Sequence, residues 1–310
     1  MLRGVSAFIL FTFCFTGFSQ KKDSLYQRLV QAESELHELQ KTTFNSRIEK
    51  ERIEGNKKFL EVWNEVLDNP EILNYPFENL KDVSILTPTD RKFKLITWNL
   101  FKDDGSHIFF GFLIVNNSKR IKTGFLSHKT INEFEHFPLL DRSNSVKSPE
   151  NYISSSDKWF GMIYYSLIEC DGYYTLLGYD PNNNLTRRKF VDVLYFKADG
   201  TPIFGKDVFK IPRKNPKRLM FEYSSGVTMS LKYEADKNEI VYSHLGSHLE
   251  GTALEGQYQF YGPDGSFDAL QMRKGKWMIQ EDIDARNQKS KNDNVTKPDP
   301  KKQTPIYQPK

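Results

Sequence analysis

The chain has 310 residues, 38% of them hydrophobic and 27% charged, and a formal net charge of +4. Residues 288–310 hold six lysines and two aspartates and Arg3 stands in the leader, which leaves residues 20–287 at −1. A body so close to neutral lacks the basic footprint that nucleic-acid binding requires and the cationic pull toward anionic lipid.

Met1-Leu2-Arg3 is a short basic start, Val5 to Phe15 is an apolar run, and Gly17-Phe18-Ser19 puts small residues just before Gln20. This is the layout of a signal peptide over residues 1–19, too short for a membrane span. The mature chain is therefore expected in the periplasm or cell envelope, without a transmembrane span. Phe13 before Cys14 argues against lipidation, so Cys14 leaves with the leader and Cys170 remains as the one thiol. One thiol forms no internal disulfide, and the fold must rest on its own core.

Leu25, Leu29, Ala32, Leu36 and Leu39 follow at heptad spacing and predict a helix over about 23–54. Such a helix either lies on its own domain or makes a homodimer through Leu25, Leu29, Leu36 and Leu39. Gly55-Asn56 reads as the break before a second helix over about 57–68, with Phe59, Val62, Trp63, Val66 and Leu67 on one face. Together these define a helical region over 20–79.

From Val83 the period changes to two, and apolar, aromatic-rich runs predict eleven or so strands across an all-β domain, 80–287. They begin with Lys92–Lys102 and His107–Asn116 and end with Phe267–Arg273 and Lys276–Gln280. Asp104-Gly105, Asp171-Gly172, Asp199-Gly200, Ser225-Gly226 and Asp264-Gly265 read as hairpin turns. Short connections without crossover helices imply antiparallel pairing. The fold class is thus mainly β: an antiparallel sandwich, a meandering barrel or a propeller-like domain behind a helical hairpin. Lys129–Ser156 reads as a polar surface loop with a short helix near Asn132–Phe137. Residues 288–310 have almost nothing to bury and read as a disordered basic tail.

The runs Phe260-Tyr261-Gly262-Pro263-Asp264-Gly265-Ser266-Phe267-Asp268-Ala269, Lys274-Gly275-Lys276-Trp277 and Glu281 to Asn287 resemble a family of exported proteins from Bacteroidota. Tyr173–Asp180, Phe221-Glu222-Tyr223 and Met229-Ser230-Leu231 are similar to its other blocks. The resemblance spans about Ile85 to Asn287 and implies export, but no activity and no site residue.

Several constellations bear on chemistry. His244 and His248 have a zinc-compatible spacing on a helix, yet Gly246 lies between them and a strand-like run precedes them, which favours polar loop residues. Asp180-Pro181-Asn182-Asn183-Asn184 places oxygens as a calcium loop does, but Leu185 and Val191 stand where that loop needs Gly and Glu. An Asx-rich turn fits better. Metal binding is therefore not expected, and no cofactor signature appears. Asp264, Asp268 and Asp284 are the candidate carboxylates for acid–base hydrolysis of a glycan. Trp98, Trp159, Tyr165, Tyr174 and Trp277 are candidate ligand-binding rings. Adjacent strand residues face opposite ways, so the Tyr164-Tyr165 and Tyr173-Tyr174 pairs demand either two-sided burial or an exposed platform. The leading expectation is a non-catalytic envelope protein that binds a partner protein or glycan. The alternatives are a secreted carboxylate-dependent hydrolase and a structural dimer.

Overall fold

The computed structural model describes residues 16–117, 119–122, 128–131, 134–247 and 256–284. The tail over 288–310 and most of the leader lie outside the described residues. Helices α1 (Thr16–Asn45) and α2 (Glu49–Val66) form an N-terminal pair, and the rest is mainly β. Among the described residues, no helix is long and apolar enough to cross a membrane.

The helix break falls at residues 46–48, not at Gly55. Gly55 sits inside α2 where the helix packs closely on α1: a Cβ there would meet Thr43 Oγ1 at 2.9 Å and the Thr43 backbone nitrogen at 3.1 Å. The missing side chain serves packing rather than termination. Gly55→Val is expected to lower stability by about 1–3 kcal/mol through overpacking, read as a lower urea midpoint at unchanged m-value. The heptad seam is filled from within the chain. Leu29, Ala32 and Leu36 are fully buried in a core with Phe59, Val62, Trp63 and Val66 of α2, and Leu39 packs against it. Leu25 is half-buried. A homodimer through Leu25, Leu29, Leu36 and Leu39 would first have to open this pair.

The first sheet has the order β1-β2-β3-β6, from β1 (Ser84–Leu86), β2 (Phe93–Phe101), β3 (His107–Asn116) and, after a separate ribbon of β4 (Lys119–Lys122) and β5 (His128–Ile131), β6 (Phe134–Leu140). The helix expected near Asn132–Phe137 is thus the strand β6. Its Pro138 stands opposite Phe112 on the sheet edge, where a missing N–H is tolerated. Residues 132–133 lie outside the described residues.

The second sheet contains β7 (Ser154–Ser155), β8 (Ile163–Cys170), β9 (Tyr173–Asp180), β10 (Thr186–Phe196) and β11 (Pro202–Phe204), in the order β7-β11-β10-β9-β8. The third contains β12 (Phe209–Lys210), β14 (Leu231–Glu234), β15 (Glu239–Ser247), β16 (Tyr261–Arg273) and β17 (Lys276–Gln280), in the order β12-β17-β16-β15-β14; β13 (Leu219–Ser224) joins the second sheet by pairing with β10. The ladders are antiparallel except for β12 with β17. None of these sheets closes into a barrel.

The cores show how the layers stack. Ile96 and Trp98 of β2 face the helices, while its Phe93 and Leu95 face Tyr164, Leu176 and Phe190 of the second sheet. The opposite face of the second sheet, with Tyr173, Leu177, Val191 and Val193, packs on Leu231, Ile240, Leu270 and Trp277 of the third. Helices and three sheets therefore form successive layers, and the first two sheets each contribute side chains to a core on both faces. This accounts for the doublet Tyr173-Tyr174. Tyr173 enters one core and Tyr174 the other, as alternation requires.

Candidate functional site

Three carboxylate-centred clusters arise where the sheets bring charged side chains together. The first lies on the third sheet. β15 and β16 pair regularly from Glu239 opposite Gln271 to Ser243 opposite Phe267, and pairing then resumes at Leu245 opposite Pro263. His244 alone therefore faces the three residues Asp264-Gly265-Ser266, a bulge inside β16. The expected Asp264-Gly265 hairpin is this bulge: Gly265 takes φ 98°, a conformation that L side chains rarely adopt. The hairpin itself is formed by Lys274-Gly275, between the paired Arg273 and Lys276.

Asp264 Oδ1 accepts the Ser266 N–H at 2.9 Å and its hydroxyl at 2.8 Å, which holds the Asp264 carboxyl below the usual range. Asp268 is nearly buried. Its Oδ1 accepts the Asp282 N–H at 3.0 Å, and its Oδ2 lies 2.8 Å from His244 Nδ1. A carboxylate can only accept, so Nδ1 carries the proton. His244 is a strand residue rather than the loop residue expected, with a side chain 48% exposed and Nε2 4.0 Å from Asp264 Oδ2. The hydrogen bond to Asp268 and the nearby charges of Asp268, Asp264 and Glu281 raise the imidazole pKa despite some desolvation. Asp264 and Asp268 thus meet around His244, whereas Asp284 is exposed beyond β17. His248 lies outside the described residues. Among the described residues, no group of three or more His, Cys, Asp and Glu side chains is placed to hold a metal ion.

The second cluster contains Asp180, at the end of β9. Its Oδ1 accepts the Asn182 N–H at 2.6 Å, an Asx turn in which Asn182 takes φ 55°. Arg188 approaches Asp180 at 3.6 Å and is held more closely by Glu222, at 2.8 Å. Burial pushes the Asp180 carboxyl up to about 6, against the lowering effects of the Asn182 N–H and Arg188. A carboxyl harder to ionise in the folded state favours folding below the unfolded value, about 3.9. That contribution is lost as the pH rises through about 6. Asp180→Asn is accordingly expected to gain about 1–2 kcal/mol over the parent between pH 4 and pH 7, read from urea melts at both values.

The third cluster was not expected. Asp192 of β10 and Arg218 are both wholly buried and paired at 3.0 Å. Asp192 Oδ2 also accepts the Tyr164 hydroxyl at 2.7 Å, and that hydroxyl accepts Trp159 Nε1–H at 3.1 Å. A sequence signal existed: an Asp in the apolar run Phe190-Val191-Asp192-Val193-Leu194 requires a buried partner. Lys94, another buried charge, donates to the Tyr75 carbonyl oxygen, and burial lowers its pKa to about 8.

The aromatic candidates do not form one surface. Trp98, Trp159 and Trp277 have no exposed area and Tyr174 only 8%, so no ligand can stack on them without opening a core. Trp98 lies in the helix-facing core, Trp159 and Tyr174 between the first and second sheets, and Trp277 between the second and third. Of the five, Tyr165 keeps an accessible ring, 39% exposed, with its hydroxyl donating to the Leu231 carbonyl oxygen at 3.0 Å.

No protein-family model, curated protein or solved structure matches this chain. The Asp192–Arg218 and Asp180–Arg188–Glu222 clusters are internally compensated and hold strands together. The His244 cluster differs, because a half-exposed imidazole nitrogen and a half-exposed carboxylate face each other at a distance too long for a hydrogen bond.

Proposed function

We propose that the mature chain is an exported, non-catalytic protein of the periplasm or cell envelope that binds a partner protein or glycan through the surface of its β-region. Support for export comes from the leader-like Met1–Ser19 and from the resemblance to exported Bacteroidota proteins. Support for binding comes chiefly from an uncovered apolar strip on the first sheet. Phe110 stands opposite Leu140, and Ile108 lies two residues away on the same face. Trp98, Phe112 and Ile114 of that face are covered by the helical pair, but Leu140 is 46% and Ile108 37% exposed. Exposed apolar side chains gathered on one face are the usual mark of an interaction surface.

The rival reading is a secreted, carboxylate-dependent hydrolase acting on glycans. It is favoured by one observation, the convergence of Asp264 and Asp268 on His244. Against it, Asp268 is spent on the Asp282 N–H and on His244, and Asp264 Oδ1 on its own turn.

Two measurements test the proposal. The purified mature chain should turn over nothing on a panel of glycans and peptides, and the double variant Ile108→Ser/Leu140→Ser should lose retention of envelope components while keeping its unfolding midpoint. Turnover that disappears in Asp264→Asn or Asp268→Asn would overturn it in favour of the hydrolase.

A further inference from the structure

We infer that His244 and Asp264 form a two-point binding site for a divalent ion of the zinc class, with Asp268 orienting the imidazole from behind. Asp268 Oδ2 accepts the Nδ1–H hydrogen bond at 2.8 Å, which fixes the tautomer and leaves the Nε2 lone pair available on a half-exposed side chain. A carboxylate behind the ring is the support that metal-ligating histidines ordinarily have, because it orients the imidazole and raises its basicity.

The second ligand is Asp264 Oδ2. Oδ1 of the same carboxylate is occupied by Ser266, which anchors the side chain, and Oδ2 lies 4.0 Å from His244 Nε2. That separation is too long for a hydrogen bond. An ion with bonds of about 2.1 Å to each atom in tetrahedral geometry spans about 3.4 Å. Closing the difference requires a movement of about 0.6 Å, small for two half-exposed side chains.

The backbone arrangement is local to this point. The three-residue bulge carries Asp264 toward His244, and its side chain packs beside Gly246, where a Cβ would make ordinary contact with Asp264 Cβ at 3.4 Å and Oδ2 at 3.6 Å. One imidazole nitrogen and one carboxylate oxygen suit Zn²⁺, Ni²⁺ or Cu²⁺ rather than Ca²⁺ or Mg²⁺, which take oxygen ligands in greater number. With two protein ligands the remaining positions go to water, leaving the ion accessible. The inference is independent of the apolar strip invoked for partner binding.

The test uses the full mature chain with Zn²⁺ alone as probe, by calorimetry and by ¹⁵N-detected histidine NMR near pH 7.5. The expected result is one ion per chain that perturbs His244 Nε2 and leaves its Nδ1–H in place. Affinity should fall at least tenfold in His244→Ala and in Asp264→Asn, and about 10- to 100-fold in Asp268→Asn through loss of ring orientation. Asp264→Asn should keep the parental unfolding midpoint, which separates loss of a ligand from loss of fold. The absence of saturable binding, or an affinity unchanged in either His244→Ala or Asp264→Asn, overturns the site. An affinity unchanged in Asp268→Asn overturns the part assigned to that residue.

Discussion

Asp192→Asn is expected to destabilise the chain by about 3–5 kcal/mol, among the largest single-site effects in the molecule. The substitution is nearly isosteric, so the loss is electrostatic. Arg218 has no exposed area, and without the Asp192 carboxylate its charge would remain in the core with no counterion. Its other contacts are polarising rather than neutralising: Nη1 donates to the Pro149 carbonyl oxygen at 3.3 Å, and the guanidinium lies over the rings of Phe160 at 5.4 Å and Tyr152 at 5.9 Å. Nη2 is buried without a hydrogen-bond partner. Arg218→Met should cost a similar amount, because it strands Asp192. The double variant Asp192→Asn/Arg218→Met removes both charges and should cost less than the sum of the two single changes. Urea unfolding of the four proteins closes this cycle, and single-variant losses below about 1 kcal/mol, or strict additivity, would contradict a mutually compensating pair.

The second large effect is expected at Trp98, also by about 3–5 kcal/mol on replacement with Ala. Trp98 is wholly buried where the helical pair meets the first sheet. Its ring stacks on Phe110 with centroids 5.9 Å apart and meets Phe59 edge-on at 5.4 Å. Its Nε1–H donates to Asn56 Oδ1 at 2.8 Å, so removal both leaves a cavity and orphans a buried amide of α2. Trp98→Phe should recover part of the loss by restoring volume without the donor. Hydrogen exchange should show α2 amides losing protection before those of the third sheet, which shares no core with Trp98. Equal loss in both would mean that Trp98 does not act through the helix–sheet contact.

Much of the architecture was legible in the chain. The period-two runs and the turns at Asp104-Gly105, Asp171-Gly172 and Asp199-Gly200 correspond to the β2–β3, β8–β9 and β10–β11 hairpins, with positive φ at each of these glycines. Those signals are local, and local chemistry decides them. The misread positions are those where a residue answers to something distant in sequence. Gly55 answers to Thr43 on the neighbouring helix, not to a turn. Phe134–Leu140, proline-bearing and set within a polar stretch, becomes a strand because β3 offers an edge. Asp264-Gly265 has the composition of a hairpin but lies opposite His244, so the same dipeptide forms a bulge. The candidate site was legible as residue types only. Nothing in the spacing of His244, Asp264 and Asp268 shows that the β15–β16 register brings them together. The two-sided burial that the Tyr173-Tyr174 doublet suggested is what the layers provide, although abundance in strands does not by itself distinguish a ring on the surface from a ring shared between two cores.

Two sheets of this molecule are packed on both faces over most of their area. β2 and β10 each send alternate side chains into different cores, so the middle of the chain acts as a shared wall between rooms. Removing the helical pair would not simply shorten the protein. It would bare Ile96, Trp98, Phe112 and Ile114 together, a sticky plane beside the already exposed Ile108 and Leu140. Truncation from the N-terminal side should therefore yield material that associates with itself rather than a smaller well-behaved domain.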